Sequence, residues 1–235
     1  MINNDLDIAS YRKRLAEAGR VQIPDFLQPD AAARLAECLR REVPWVTAER
    51  GQPDSKPWPP EVARERMPAA YRRAATGFHF VYDRYLIVEA MREGRDKGHL
   101  LHAVLEFFND LPYLQFIRAL TGDQELVAVG GQATRYLPGQ FLNVHDDGFN
   151  DEARRYAYVL NLSRRWEPDW GGLLHFVDEN GRQLDAFMPS YNTLNLFKVP
   201  ARHYVGVVAP WAQEPRLAIT GWWHATPPDM AGQQG

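Results

Sequence analysis

The second half of the chain consists of short segments rich in β-branched and aromatic residues, separated by Pro, Gly, Asn and Asp. This texture begins at Glu125, and the segments recur at the spacing typical of an all-β barrel or sandwich. A chain of this kind has to fold around a sheet core, which we expect to be double-sheeted. The predicted strands are Leu126–Tyr136, Phe141–His145, Tyr156–Ser163, Leu173–Val177, Gln183–Phe187, Thr193–Phe197, His203–Val208 and Arg216–His224.

The first half of the chain has a mainly helical pattern. Residues 8–41 are predicted to be helical, interrupted at Gly19 and at 23–29, with Asp30 as the N-cap of the helix Ala31–Arg41. Further helices are predicted at 61–75 and 99–120, the second broken near Pro112, and one strand at 76–86. We therefore predict an α+β, mainly β fold in a single domain, 1–235. Residues 1–124 form a helical support that also faces the substrate, 125–225 form the core with the helices packed on one sheet, and 226–235 form a tail.

Composition narrows the class of protein. The 235 residues carry a formal net charge of −3, so the basic surface typical of nucleic-acid binders is not expected. The single cysteine, Cys38, fits a reducing compartment. We find neither a secretory signal nor an apolar run near the roughly 20 residues that a membrane span needs. These features predict a cytoplasmic protein without membrane or nucleic-acid partners.

A potential metal site is formed by His145 and Asp147, at the end of a predicted strand. Residues i and i+2 of an extended chain project to the same face, so an imidazole and a carboxylate lie side by side. His203, at the start of another predicted strand, supplies a second imidazole. Two histidines and one carboxylate are the ligand set of non-haem Fe(II) oxygenases. The alternative is that these are ordinary core or surface residues. Asp146 is a weaker choice of carboxylate because it faces away from His145.

The predicted strand Arg216–His224 places four residues on one face, Arg216, Ala218, Thr220 and Trp222. A planar guanidinium binds a carboxylate through two parallel hydrogen bonds, so Arg216 suits the far carboxylate of a 2-oxo acid bound to the metal. The Thr220 hydroxyl can add a hydrogen bond to the same carboxylate, and Trp222 can form a wall of the pocket. Tyr136 can donate a phenolic hydrogen bond. The alternatives are a surface ion pair for Arg216 and a plain core aromatic for Trp222.

From Tyr136 to Trp223 the chain resembles the prolyl-hydroxylase type of 2-oxoglutarate- and Fe(II)-dependent dioxygenases, in the branch of the fungal ribosomal-protein and hypoxia-factor prolyl hydroxylases. The residues that carry the resemblance are Tyr136-x-Pro-Gly139, His145-Asp-Asp147, Arg155–Ser163, Trp166, Trp170-Gly-Gly-Leu-Leu174, His203 and Arg216-Leu-Ala-Ile-Thr-Gly-Trp222. The resemblance implies a double-stranded β-helix (jelly-roll) core. The first 120 residues contribute little to it.

The resemblance also implies roles for individual residues. The Fe(II) ligands would be His145, Asp147 and His203. Arg216, Thr220 and Tyr136 would bind 2-oxoglutarate. Many relatives carry a co-substrate-binding tyrosine where this chain has Asn161, whose amide can still donate a hydrogen bond. Trp222 and Asn143 are further predicted to line the pocket.

The function implied by the resemblance is hydroxylation of a substrate C–H bond by O2, with release of succinate and CO2 and with ascorbate as a candidate reductant. The expected substrate is a prolyl residue of a peptide or protein, contacted by the loop 51–60 or the acidic turn 146–152. Three alternatives stay open: a hydroxylase of a free amino acid or other small molecule, a non-catalytic metal- or ligand-binding β-barrel, and a nucleic-acid demethylase.

Overall fold

The computed structural model describes residues 1–147 and 153–226. The α-helices of these residues are α1 (Ile8–Ala18), α2 (Pro29–Arg41), α3 (Pro60–Ala74), α4 (Ile87–Arg92), α5 (Leu100–Asn109) and α6 (Leu111–Thr121), with a 3-10 turn at Pro168–Trp170. The strands are β1 (Arg20–Ile23), β2 (Val46–Glu49), β3 (Phe80–Leu86), β4 (Ala128–Val129), β5 (Gln132–Tyr136), β6 (Phe141–Asp146), β7 (Arg154–Asn161), β8 (Leu174–Val177), β9 (Gln183–Phe187), β10 (Thr193–Lys198), β11 (Arg202–Val205) and β12 (Arg216–His224). No helix in these two ranges is both long enough and apolar enough to cross a bilayer.

All strands belong to one antiparallel sheet that curls into a nearly closed barrel. Ten strands follow the order β1-β10-β7-β12-β5-β3-β6-β11-β8-β9, while β2 pairs with β3 and β4 with β12. Strands far apart in this order share one interior apolar cluster, to which Tyr136 of β5, Ala218 of β12, Phe197 of β10 and Phe176 of β8 all contribute. Because these side chains meet, the sheet encloses its own core. The predicted jelly-roll core is confirmed.

Five helices cover the outer face of one side of the barrel. The largest apolar cluster joins residues of α1, α2, α4, α5 and α6 to strand residues such as Leu160, Leu196 and Ile219. This packing agrees with the predicted helical support on one sheet. Helix α3 lies elsewhere, because its Met67 and Ala70 pack on Val81 and Phe141 in a separate cluster.

The ends of the helices follow local sequence signals, with one correction. The left-handed Gly19 ends α1, and its N–H donates to the Leu15 carbonyl. Pro112 lies in the first turn of α6, so the predicted break near it is confirmed. The prediction of Asp30 as the N-cap of α2 is wrong. The helix already begins at Pro29, whose fixed φ suits a first helical position, and Asp30 lies within its first turn.

Three elements were absent from the sequence prediction: β1, β2 and α4. The first two are four-residue strands whose partners lie elsewhere in the chain, so local periodicity gave no signal for them. The predicted strand 126–136 is divided into β4 and β5 at Gly130 and Gly131. The predicted hairpin link at Asp178–Gly181 is confirmed between β8 and β9, and Gly181 has a φ of +76°.

Candidate metal centre and co-substrate pocket

His145, Asp147 and His203 converge at one end of the barrel. His145 lies on β6 and His203 directly opposite it on β11, with ring centroids 4.2 Å apart. The Nε2 atom of His145 is 3.4 Å from one Asp147 carboxylate oxygen, and that of His203 is 3.5 Å from the other. One donor atom from each residue fits within 4.8 Å of the others. The structure therefore brings together the three side chains that the sequence singled out as a metal site.

A β-bulge in β6 gives His145 its direction. The ladder pairs His203 with His145 and then Val205 with Leu142, so two residues of β11 are matched by three of β6. The extra residue resets the alternation of side chains. Leu142 packs against the interior cluster. His145, three residues later, also faces the interior, where its ring meets the Asp147 carboxylate. A bulge of this kind commonly re-aims a side chain beside a functional site.

The bulge also places Asn143 outside the metal cavity, contrary to its predicted pocket-lining position. Its side-chain amide donates to the carbonyls of Ala74 and Gly77, at 3.0 and 3.3 Å. Asn143 lines instead an outer cleft of about 430 Å³, together with Phe78 and other residues. It anchors the segment between α3 and β3 to the strand that carries His145.

Backbone carbonyls set the tautomers of both histidines. Nδ1 of His145 lies 2.9 Å from the Asn143 carbonyl oxygen, and Nδ1 of His203 lies 2.7 Å from that of Ala201. A carbonyl oxygen only accepts, so each Nδ1 carries the proton and donates it. Each Nε2 faces Asp147 and is the ring atom left to bind a metal ion. Neutral imidazoles held in this way are the form that binds a metal ion.

The electrostatics of the three groups are strongly coupled. Burial and the nearby His145 lower the pKa of His203 to about 4, so this ring is neutral at physiological pH. Burial also acts to lower the pKa of His145, but the hydrogen bond and charge of Asp147 outweigh it and the net pKa is raised. Burial alone would raise the pKa of Asp147. The two imidazoles and the Trp222 indole reverse that effect, and its pKa is lowered, which keeps the carboxylate charged.

Arg216 lies at the other end of the interior, on β12. Its side chain is 1% exposed, and its Nε and Nη2 atoms have no hydrogen-bond partner among the described residues. The guanidinium stands 5.1 Å from the centroid of Tyr136, whose ring stacks on Tyr82. A buried cation with free donors is costly unless an anion meets it, so this arrangement fits a carboxylate ligand.

The predicted face of β12 agrees with the structure. Ala218 and Trp222 contact the interior cluster, whereas Leu217, Ile219 and Trp223 belong to the outer helical cluster. Trp222 lies beside Asp147, and its place in a pocket wall stays a prediction. Thr220 is half-buried on the same strand, paired with Val159 of β7.

Asn161 is placed differently from the expectation that its amide donates to the co-substrate. It is fully buried, directly opposite Ala218, but its Nδ2 donates to the Thr193 carbonyl at 3.2 Å. The atom left without a partner is Oδ1, an acceptor.

Three functional candidates escaped sequence reasoning. Thr134 is two residues from Tyr136 on β5, and its buried hydroxyl has no partner among the described residues. Alternation from Tyr136 could have pointed to it. Arg154 stacks 4.1 Å from the Trp222 ring centroid and donates to the Asp147 carbonyl, but its role depends on tertiary contacts. Asn195 of β10 is the third.

Comparisons with known proteins agree with this geometry. The family model described as 2OG-Fe(II) oxygenase superfamily matches residues 131–224. Prolyl 3-hydroxylase sudestada1 of Drosophila melanogaster is 30% identical over 124 residues, which are 48% of this chain and 22% of that protein. Prolyl 3-hydroxylase OGFOD1 of Xenopus laevis is 28% identical over 142 residues, 56% of this chain and 26% of that protein. The chain thus spans about a quarter of the length of these curated relatives.

Two solved structures illustrate the shared fold. A prolyl-4-hydroxylase of Pseudomonas putida superposes with a TM-score of 0.60 at 22% identity, covering 94% of this chain and 100% of its own. A prolyl hydroxylase of Trichoplax adhaerens, in complex with a hypoxia inducible factor peptide fragment, gives 0.63 at 15% identity, covering 93% and 89%. These likenesses show that the barrel fold is shared with prolyl hydroxylases. Residues 131–224, which include His145, Asp147, His203 and Arg216, are similar to the 2OG-Fe(II) oxygenase superfamily.

Proposed function

We propose that the protein is a 2-oxoglutarate-dependent Fe(II) dioxygenase that hydroxylates a prolyl residue of a peptide or protein. The observation that carries the proposal is the pairing of a two-histidine, one-carboxylate cluster with a buried arginine that has unpartnered donors, in one barrel interior. A binding protein that only held a metal would gain nothing from an uncompensated buried guanidinium.

The donor set fits Fe(II). Two imidazoles, on β6 and β11, and one carboxylate directly after β6 are the ligand set of non-haem iron oxygenases. When bound, Fe(II) would supply the activation of O2 by which 2-oxoglutarate, O2 and a substrate C–H become succinate, CO2 and a hydroxylated product. The residues that would hold it are His145, Asp147 and His203. Neither ring would act as a general base, because each Nδ1 is hydrogen-bonded to a carbonyl and each Nε2 would be taken by the metal.

The remaining pocket residues orient the co-substrate and exclude water. Arg216 would bind the far carboxylate of 2-oxoglutarate through the planar fork of its guanidinium. The Tyr136 ring packs against that guanidinium and helps to hold it in place. Trp222 and Phe197 close the metal end, where Phe197 packs 4.8 Å from the His203 ring centroid. A dry pocket strengthens the electrostatic contacts within it.

A prolyl substrate is supported by an exposed aromatic beside the candidate metal site. Phe78 is 36% exposed, and its ring centroid lies 5.6 Å from that of His145. The Arg50 guanidinium covers the same ring at 4.7 Å. An apolar ring next to a cation suits a pyrrolidine ring followed by a peptide carbonyl. Both residues lie outside the matched segment 131–224, as expected if the N-terminal part faces the substrate.

The test is turnover. Purified protein is supplied with Fe(II), 2-oxoglutarate, ascorbate and O2, together with a set of proline-containing peptides or free proline. Succinate is followed by NMR and addition of one oxygen atom by mass spectrometry. We expect succinate and an oxygenated peptide with the wild type and with Asp146→Ala, and neither with Asp147→Ala. Succinate no higher than that of Asp147→Ala, with every peptide and with proline, would contradict the proposal. Oxygenation of proline alone would favour the small-molecule alternative.

A further inference from the structure

Asn195 is a buried polar residue in the middle of β10, and it faces the barrel interior. It is 0% exposed and pairs directly with Gln22 of β1 on one side and Val159 of β7 on the other. Its neighbours Leu194 and Leu196 belong to the outer helical cluster. Since side chains alternate along a strand, Asn195 points to the opposite face, the interior.

A chain of hydrogen bonds fixes the orientation of the Asn195 amide. The Met188 carbonyl only accepts, so the Gln22 group that meets it at 3.0 Å must be the donor Nε2. The same Nε2 donates to Asn195 Oδ1, also at 3.0 Å. The amide cannot reverse without losing this bond. Its Nδ2 therefore faces away from Gln22, and it has no hydrogen-bond partner among the described residues.

The strand register places this donor between the two ends of the co-substrate pocket. Phe197, two residues further along β10, packs against His203 at the metal end. Val159, the partner of Asn195 on β7, is paired in turn with Thr220 of β12. Asn195 therefore lies one layer of side chains deeper in the barrel than the metal end, between that end and Arg216.

We propose that Asn195 Nδ2 donates a hydrogen bond to an oxygen at the 2-oxo acid end of the co-substrate, and that Gln22 acts as the positioning residue for that amide. The inference rests on the proposed function and adds a specific contact to it. A buried amide donor without a partner carries a desolvation cost, which a ligand oxygen removes. The donor is neutral, so it can approach the oxo-acid end without competing with Asp147 for the metal.

The test measures 2-oxoglutarate binding directly, without turnover. Anaerobic protein with Fe(II) is titrated with 2-oxoglutarate, and the visible metal-to-ligand charge-transfer band gives both an affinity and a band position. Asn195→Leu keeps the size of the side chain but removes the donor. Asn195→Asp keeps the bond from Gln22 but turns an acceptor toward the pocket. Asn109→Leu is the control for losing a hydrogen-bonded side-chain amide, because its bonds go to Leu105 and Val129, away from the pocket.

We expect Asn195→Leu to weaken 2-oxoglutarate binding about tenfold and to shift the band, since a hydrogen bond to the chelating oxygens is lost. Asn195→Asp is expected to weaken binding further, and Gln22→Leu less than either. Fe(II) affinity and the melting temperature of Asn195→Leu are expected to stay near wild type. A failure of the wild type to bind 2-oxoglutarate would instead refute the proposed function.

Three results would overturn the inference while leaving the proposed function intact. The first is an unchanged affinity in Asn195→Leu and Asn195→Asp. The second is a weakened affinity with an unshifted band at saturation, which would place the donor away from the 2-oxo acid end. The third is an equal loss in Asn109→Leu, which would mark the effect as general.

Discussion

His145 and His203 lie directly opposite each other on neighbouring antiparallel strands, with ring centroids 4.2 Å apart. A directly opposed pair is the closest side-chain relationship that a sheet provides. These two candidate metal ligands are thus held by strands of the barrel, while Asp147 follows the end of β6. The extra residue of β6 between Leu142 and His145 keeps both of these side chains on the interior face.

Deletion of Val144 would remove that extra residue. We expect the variant to fold, because β6 can then pair regularly with β11. Leu142 and His145 would then be two residues apart and share the interior face, so Fe(II) affinity should stay near wild type. Insertion of one Ala after Val144 should instead add a residue that the bulge does not absorb and weaken Fe(II) binding. Metal binding by calorimetry and folding by circular dichroism check this. The control is insertion of one Ala after Pro53, in an exposed loop, which should leave metal binding unchanged. Loss of Fe(II) affinity in the folded Val144 deletion would contradict this account of the bulge.

Replacement of Arg216 separates co-substrate binding from metal binding. Two charge-assisted hydrogen bonds are lost in Arg216→Met, so 2-oxoglutarate affinity should fall about a hundredfold or more while Fe(II) affinity stays near wild type. Arg216→Lys should recover only part of the 2-oxoglutarate affinity, because lysine offers a point charge and not a planar pair of donors. The control is Arg165→Met, at an exposed ion pair with Glu167. Unchanged 2-oxoglutarate affinity in Arg216→Met would remove that residue from the pocket.

Sequence periodicity predicted the strands of the barrel well where each strand has its own pattern. The predicted segments 183–187 and 216–224 match β9 and β12 end to end. It failed for β1, because Arg20–Ile23 follows a helix directly and is defined only by pairing with Phe197–Leu194. The strand propensity of only four residues is a weak signal, and pairing with a distant strand decides whether they form a strand.

The same division holds for the candidate site. His145, Asp147 and Arg216 were predictable because their chemistry is visible along single strands. Asn143 was misplaced because a bulge, which breaks the alternation of side chains, leaves no signature in one sequence. Asn195 was missed because its importance depends on a partner, Gln22, from a strand that periodicity did not predict.

Gly221 tests how closely β12 approaches the link between β4 and β5. An added Cβ there would stand 1.9 Å from the Gly130 carbonyl oxygen, a backbone atom that cannot yield easily. We expect Gly221→Ala to cost about 2 kcal/mol or more of the free energy of unfolding, a drop in melting temperature of about 4 °C or more. Gly77→Ala is the matched control, since nothing lies within 4 Å of its added Cβ. Equal melting temperatures for the two variants would contradict the predicted clash.

Cys38 should be inert in the folded protein. Burial, helped by the charge of Glu42, raises its pKa to about 11. At pH 8 only about a thousandth of the thiol is then the reactive thiolate, and the fraction rises as the pH approaches 11. We expect negligible alkylation by iodoacetamide at pH 8 and rapid alkylation after unfolding in guanidinium, measured by mass spectrometry. Stoichiometric labelling of the folded protein at pH 8 would contradict a buried thiol.

One barrel interior is expected to hold both the metal and the 2-oxo acid. The most direct measurement is an anaerobic titration with Fe(II) and then 2-oxoglutarate, followed by the weak visible charge-transfer band of a chelated oxo acid. His145→Ala is the test variant, and His175→Ala, which replaces a histidine stacked on Tyr204, is its matched control. We predict a band that requires both additions, survives in His175→Ala and vanishes in His145→Ala. No band in the folded wild type, or an unchanged band in His145→Ala, would contradict the account.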